Sequence, residues 1–258
     1  MDQFIFVALT LVFGFGAAFL QPPYSFLCLL AFIAIAVWRL AQMGVLPFDW
    51  VVFTKQQQIL NQLKQDNPAQ ALQLANDLVY TRPQNWLAYH LRSITLLALF
   101  RLSDAEKDAR MAVRLNPKAH FSYGSLGAIL LEQGRYEESK QAFGEALQLG
   151  DDFVINHYNL GFVCHRLQEH EASIQYLTTA VRKGLSTPQH MLLANYFLGR
   201  SSEALGQSSQ AIKFYKAMAR YVKGLDQLVN VNNPPGFPEV LALKADVANI
   251  ERILSQPL

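Results

Sequence analysis

Between Asp2 and Arg39 the chain carries no acidic or basic side chain, a gap of 36 residues in a sequence of 258. Charged residues make up only 16% of the whole, against roughly 25% in an ordinary soluble domain. The deficit is local, because the charge other than Asp2 begins at Arg39. A net charge of +2 excludes the concentrated basic footprint that nucleic-acid binding leaves. Two cysteines, Cys28 and Cys164, make no disulfide framework, and there is no CxxC pair. No Gly-Lys-Ser/Thr phosphate loop and no HExxH occur, and Gly14-x-Gly16 lacks the third glycine of a dinucleotide loop. These absences leave no catalytic constellation, no cofactor motif and no recognisable small-molecule substrate site. The sequence therefore predicts a protein that is not an enzyme.

The charge-free stretch is too long for one membrane span. As a single helix, its 36 residues would reach roughly 54 Å, against a hydrocarbon layer of about 30 Å. Gln21-Pro22-Pro23 divides it, since consecutive prolines remove two backbone donors and disfavour helical geometry before them. The expectation is a transmembrane hairpin of Phe4–Leu20 and Tyr24 to about Gln42, with Gly14 and Ala18 four apart where the helices pack. Arg39 and Lys55 follow the second segment and the turn is uncharged, so the positive-inside rule puts both termini on the cytoplasmic side. A cleaved signal peptide fits less well, because Met1-Asp2-Gln3 has no basic n-region. Trp38, Phe48 and Trp50, around the Gly44–Pro47 bend, suit interfacial anchors or packing against the first repeat downstream.

From about Val52 onward the chain is periodic. In His120–Phe153, Tyr123, Leu126, Gly127 and Leu130 are answered by Ser139 and Phe143, with Gly134 between the two groups. Sliding a frame of 34 residues takes Gly127 to Gly161, Ser139 to Ser173 and back to Ala105, and Pro117 back to Pro83. Leu198-Gly199, Gly206, Ala211 and Tyr215 form a further unit displaced by four residues, the extra length falling around Thr187-Pro188. The shared spacing resembles the tetratricopeptide repeat (TPR) family over residues 52–225. That resemblance implies an all-α TPR solenoid of about five helical hairpins, near 52–85, 86–119, 120–153, 154–191 and 192–225, in which small residues let paired helices approach. Departures are Arg92-Ser93 at the Leu-Gly position and Asp151 where a proline often follows. The expected organisation is a membrane hairpin and interfacial segment over 1–45, the solenoid over 46–225, and a tail over 226–258. In that tail Asn232–Pro238 breaks helix, and Val240, Leu241, Leu243, Val247, Ile250 and Leu254 recur at helical spacing, predicting a capping helix.

Two side-chain clusters invite a functional reading. His157 and Cys164, with His165 and His170 near them, have the minimum spacing for metal ligation, but helix packing explains them better and no metal is expected. Lys213, Lys216, Arg220 and Lys223 line one side of a helix, which suits a solvated face or an acidic partner. The resemblance adds a third candidate, the groove formed by the first helices of successive hairpins. Its lining positions carry over to Leu87, His90, Ile94 and Leu97, then to Phe121, Ala128, Leu131 and Glu132. They continue as Ile155, Tyr158, Phe162, His165 and Arg166, and end with Leu193, Tyr196, Arg200 and Glu203. Gly124 and Ala128 stand where carboxylate-clamp members of the family use Lys and Asn, so an acidic C-terminus is not the expected ligand. An apolar groove suits an amphipathic helix or extended segment of a partner protein, with Arg166 and Arg200 for acidic flanks; alternatively, the same positions pack on one another or are covered by the chain's own C-terminal helix. The expected role is a membrane-tethered scaffold that recruits or assists assembly of a membrane-associated complex, or a cell-envelope or secretion-machinery component with the solenoid outside the cytoplasm.

Overall fold

The computed structural model describes residues 24–42, 49–224 and 244–255. Every element among them is helical: α1 Tyr24–Gln42, α2 Trp50–Lys64, α3 Pro68–Thr81, α4 Trp86–Ala98, α5 Leu102–Leu115, α6 His120–Glu132, α7 Tyr136–Gln148, α8 Val154–Arg166, α9 His170–Lys183, α10 Pro188–Ala204, α11 Ser208–Met218 and α12 Lys244–Leu254, with a 3-10 turn at Ala219–Tyr221. The chain divides into two compact units, 1–58 and 59–258, the boundary falling within α2.

In the first unit, α1 corrects the expectation of an integral, two-span membrane protein. Among the described residues no helix is long and apolar enough to cross a membrane. Its uninterrupted apolar run, Phe26–Trp38, is 13 residues and rises about 20 Å before Arg39, well short of the roughly 30 Å layer. The sidedness argued from Arg39 and Lys55 falls with it. The other proposed span, Phe4–Leu20, the Gln21–Pro23 turn and the Gly44–Pro47 bend lie outside the described residues, as does the Trp38 side chain. Trp50 is half exposed and its ring lies 5.6 Å from that of Phe53 at the start of α2, where Asp49 Oδ1 accepts from the Val51 and Val52 N–H groups.

The second unit is an all-α solenoid in which each helix from α3 to α11 packs on the next. Its periodicity is clearest in the backbone of the turns. Asp66, Phe100, Gly134, Gln168 and Gly206, spaced at 34, 34, 34 and 38 residues, all adopt positive φ (56°, 58°, 71°, 63° and 72°). After each one the next residue donates its N–H back five positions, Asn67 to Gln62, Arg101 to Leu96, Arg135 to Leu130, Glu169 to Cys164 and Gln207 to Ser202, always at 2.9 Å. This is a Schellman closure of the first helix, repeated five times. The four-residue insertion is absorbed as helix. α10 has 17 residues where α4, α6 and α8 have 13, and Thr187 caps it by accepting from the His190 N–H with Pro188 in the first turn. Four residues are one helical turn, so the face presented to the neighbours is preserved.

Paired helices meet over small residues. A Cβ on Gly127 would lie 2.8 Å from the Phe143 ring, one on Gly161 2.6 Å from Leu177 Cγ, and one on Gly199 2.2 Å from Tyr215. Ser139 is fully buried and donates its hydroxyl to the Gly127 carbonyl at 2.8 Å. Both sequence departures have a physical account. Ser93 replaces the glycine where the partner position holds Ala109 rather than a ring, and both are fully buried. Arg92, in place of the leucine, makes a bidentate pair with Asp108 across the hairpin, Nε to Oδ2 at 2.6 Å and Nη2 to Oδ1 at 2.8 Å, and this raises its already high pKa. Asp151, in place of proline, is a fully buried side chain that accepts from the Phe153 N–H and from Asn156 Nδ2, each at 2.8 Å, and lies 3.3 Å from His120 Nδ1. It ties the entrance of α8 to α6. Gly124 leaves the space, since a Cβ there would meet Asn156 Nδ2 at 2.8 Å.

Candidate functional site

The first helices of the hairpins, α4, α6, α8 and α10, carry all the positions assigned to the groove, and the structure divides these into two halves of different character. In the N-terminal half, Leu87, His90, Ile94 and Leu97 of α4 are partly exposed. Beside them Phe121 of α6 is 42% exposed and Ile155 of α8 40%. Rings connect the helices along this half: Trp86 to His90 at 6.1 Å, His90 to Phe121 at 6.3 Å, and Phe121 to Phe153 at 5.4 Å. Phe153 is itself 49% exposed, and His120 lies 4.0 Å from the Phe121 ring. Trp86, His120 and Phe153 were not among the sequence candidates. They stand at or before the first helical residue, outside the positions counted along each helix, although the recurrence of an aromatic or histidine there was visible. His90 Nδ1 lies 3.3 Å from Ser125 Oγ of α6, and burial lowers its pKa to about 4. The histidine is thus neutral at pH 7, and this half of the face presents aromatic and apolar surface.

The C-terminal half is covered. Tyr158, Leu193 and Tyr196 are fully buried, Phe162 is 1% exposed and Leu131 7%. They share one core cluster with Ile250 and Ile253 of α12. The C-terminal helix predicted from the tail is present over Lys244–Leu254, while Val240, Leu241 and Leu243 lie outside the described residues. Its polar anchor is Asp246. Oδ1 accepts the Tyr196 hydroxyl and Oδ2 accepts Arg166 Nη2, each at 2.8 Å. The Arg166 guanidinium also lies over the Phe162 ring, 4.9 Å from its centroid, and 5.8 Å from that of Phe197. Burial, and then the neighbouring Asp246 carboxylate, push the Tyr196 phenol well above its ordinary range, so it stays a donor. Arg200 sits at the edge, 3.7 Å from Glu203.

The histidine and cysteine cluster is held by packing. Cys164 is buried and its thiol is pushed up to about 11 by that burial, so it stays protonated at pH 7. His165 Nδ1 lies 2.9 Å from Ser201 Oγ, which in turn donates to Ser173 at 3.2 Å, and the His157 ring lies tilted 6.5 Å from that of Tyr176. Among the described residues no group of His, Cys, Asp or Glu could hold a metal ion. Lys213, Lys216, Arg220 and Lys223 are all exposed.

Against known families, residues 125–188 match the model described as tetratricopeptide repeat. Over that segment the chain is similar to tetratricopeptide repeat proteins. The chain is 37% identical over 91 residues to the peroxisomal targeting signal receptor of Saccharomyces cerevisiae, covering 35% of this chain and 14% of the receptor. It is 27% identical over 112 residues to the photosystem I assembly protein Ycf3 of Synechococcus elongatus, covering 40% of this chain and 64% of that protein. The chain thus spans a small part of the first relative and less than two thirds of the second. Among solved structures, PilW, a type IV pilus biogenesis factor, superposes with a TM-score of 0.60 at 20% identity, over 80% of this chain and 90% of that one. At such identity the likeness concerns the fold.

Proposed function

We propose that this chain is a non-catalytic protein-interaction scaffold whose concave TPR face binds a helical or extended segment of a partner protein, in the service of assembling a protein complex. The observation that carries the reading is the half-exposed apolar run Phe121, Phe153 and Ile155, bordered by Leu87, Ile94 and Leu97, on the face where successive first helices meet. Burying such side chains contributes roughly 25 cal/mol per Å² of apolar area, and a contiguous patch of this kind marks an interaction surface. The relatives fit the class: one is a receptor for a targeting signal and another an assembly protein. Arg200, at the edge of the same face, is available to an acidic flank.

The test is a paired substitution, Phe121→Asp with Ile155→Asp, because both side chains are exposed and the core does not depend on them. Affinity capture from the native source, compared with wild type by quantitative mass spectrometry, should lose specific partners by about tenfold or more, while the melting temperature stays within a few degrees. An unchanged partner profile on a folded variant would sink the proposal.

A further inference from the structure

We propose that α12 is a displaceable internal ligand of the C-terminal half of the concave face. The partner segment that replaces it is an amphipathic helix bearing a carboxylate followed, four and seven residues later, by aliphatic side chains. The inference rests on the scaffold reading above and specifies the partner that the face selects.

The first support is the way α12 is seated. Along it Asp246, Val247, Asn249, Ile250, Ile253 and Leu254 are buried or partly buried, whereas Ala248, Glu251, Arg252 and Ser255 face solvent. The inward stripe is that of a helix laid in a groove. Asp246 sits where Arg166 and the Tyr196 hydroxyl converge, and Ile250 and Ile253 join the cluster of Tyr158, Phe162 and Leu193. A cation and a neutral donor against aromatic rings form a carboxylate seat built by α8 and α10. Both belong to the solenoid, so the seat is independent of which chain supplies the acid.

The second support is connectivity. Within hairpins 1 to 5 the two helices are joined by three residues closed by the repeated Schellman turn. By contrast α12 follows the solenoid only after residues 225–243, a sequence that includes Asn232-Asn233-Pro234-Pro235-Gly236-Phe237-Pro238. Nineteen residues reach up to about 60 Å when extended, so α12 can leave its seat while its tether remains attached. An isolated helix of 11 residues is marginal in water, so leaving the seat also melts it. The tether holds α12 at a high effective concentration, and only a segment of matching chemistry competes with it.

The probe is a fluorescent synthetic peptide of residues 244–255, titrated into the full chain by anisotropy. Wild type should bind it weakly, because its seat is filled. The full-chain variant Asp246→Ala with Ile250→Asp should bind it about tenfold or more tightly, and adding Arg166→Ala to that variant should remove the gain. A peptide carrying Asn in place of Asp246 should bind the opened variant more weakly than the parent peptide. Hydrogen exchange on the wild type provides a readout free of substitutions: amides of 246–254 should exchange through an opening faster than that of α8 and α10. Equal affinity of wild type and opened variant, equal protection of α12 and α10, or a dimer exchanging α12 between copies would each overturn the assignment. Because the ligand is the chain's own helix, these results stand apart from the Phe121 and Ile155 test of the scaffold itself.

Discussion

Gly161→Ala should lower the melting temperature of the solenoid by roughly 10 °C, the effect of about 3 kcal/mol on a unit of this size. The methyl group would arrive 2.6 Å from Leu177 Cγ and 2.9 Å from the Leu177 backbone nitrogen. A leucine can change rotamer, but the backbone of α9 cannot retreat without parting α8 from α9, and Gly161, Leu177 and their neighbours are fully packed. Overpacking of this kind is relieved only by separating helices, which exposes the core between them. Gly144→Ala is the matched control. Gly144 lies inside α7 with nothing within 4 Å of a new Cβ, so alanine there should raise stability by about 0.5–1 kcal/mol through helix propensity alone. Thermal melts of the two variants in parallel separate a steric requirement for glycine from a conformational one. Equal melting temperatures would mean that the close approach at Gly161 is not the constraint that sets the hairpin.

Phe162→Ala is the second large effect, with an expected loss of about 3–5 kcal/mol. Its ring is 1% exposed, 5.0 Å from the Phe197 ring and beneath the Arg166 guanidinium. Removing it leaves a cavity against α10 and takes away the surface on which Arg166 rests. Phe121→Ala, on the same face one hairpin earlier, should stay within about 0.5 kcal/mol because its ring is already half in water. Chemical denaturation of both variants checks the contrast. A small loss for Phe162→Ala would mean that α12 leaves the seat open and the ring solvated.

That contrast shows how much of the site could be read from the sequence. The 34-residue frame located the first helices of the hairpins and the small residues between them, because glycine at 127, 161 and 199 leaves a recurring mark. The resemblance assigned Tyr158, Phe162, Leu193 and Tyr196 to the groove. Coverage by the C-terminal helix is one of the alternatives the sequence leaves open there, since docking of α12 depends on contacts made across residues 225–243 and no local pattern encodes where a tethered helix settles. The turns were only half legible. Gly134 and Gly206 announce positive φ, but Asp66, Phe100 and Gln168 adopt the same conformation under the demand of the Schellman closure, against their own preference. The insertion near Thr187 was located by spacing, but its absorption as a helical turn follows from the Thr187 cap and Pro188, which a repeat frame treats as an interruption. The integral membrane reading failed for a different reason. It carried the second span from Tyr24 through Arg39 to about Gln42, whereas the described helix offers only Phe26–Trp38 as an unbroken apolar run.

The central claim is that the open half of the concave face is where a partner is held. A photo-crosslinking amino acid placed singly at position 121, 155 or 141 tests it most directly, since Phe121 and Ile155 line that face and Gln141 is exposed on α7, the second helix of its hairpin. Irradiation in the native source should give the same discrete adduct from positions 121 and 155 and none from 141. Identical adducts from all three positions, or an adduct from 141 alone, would contradict the account.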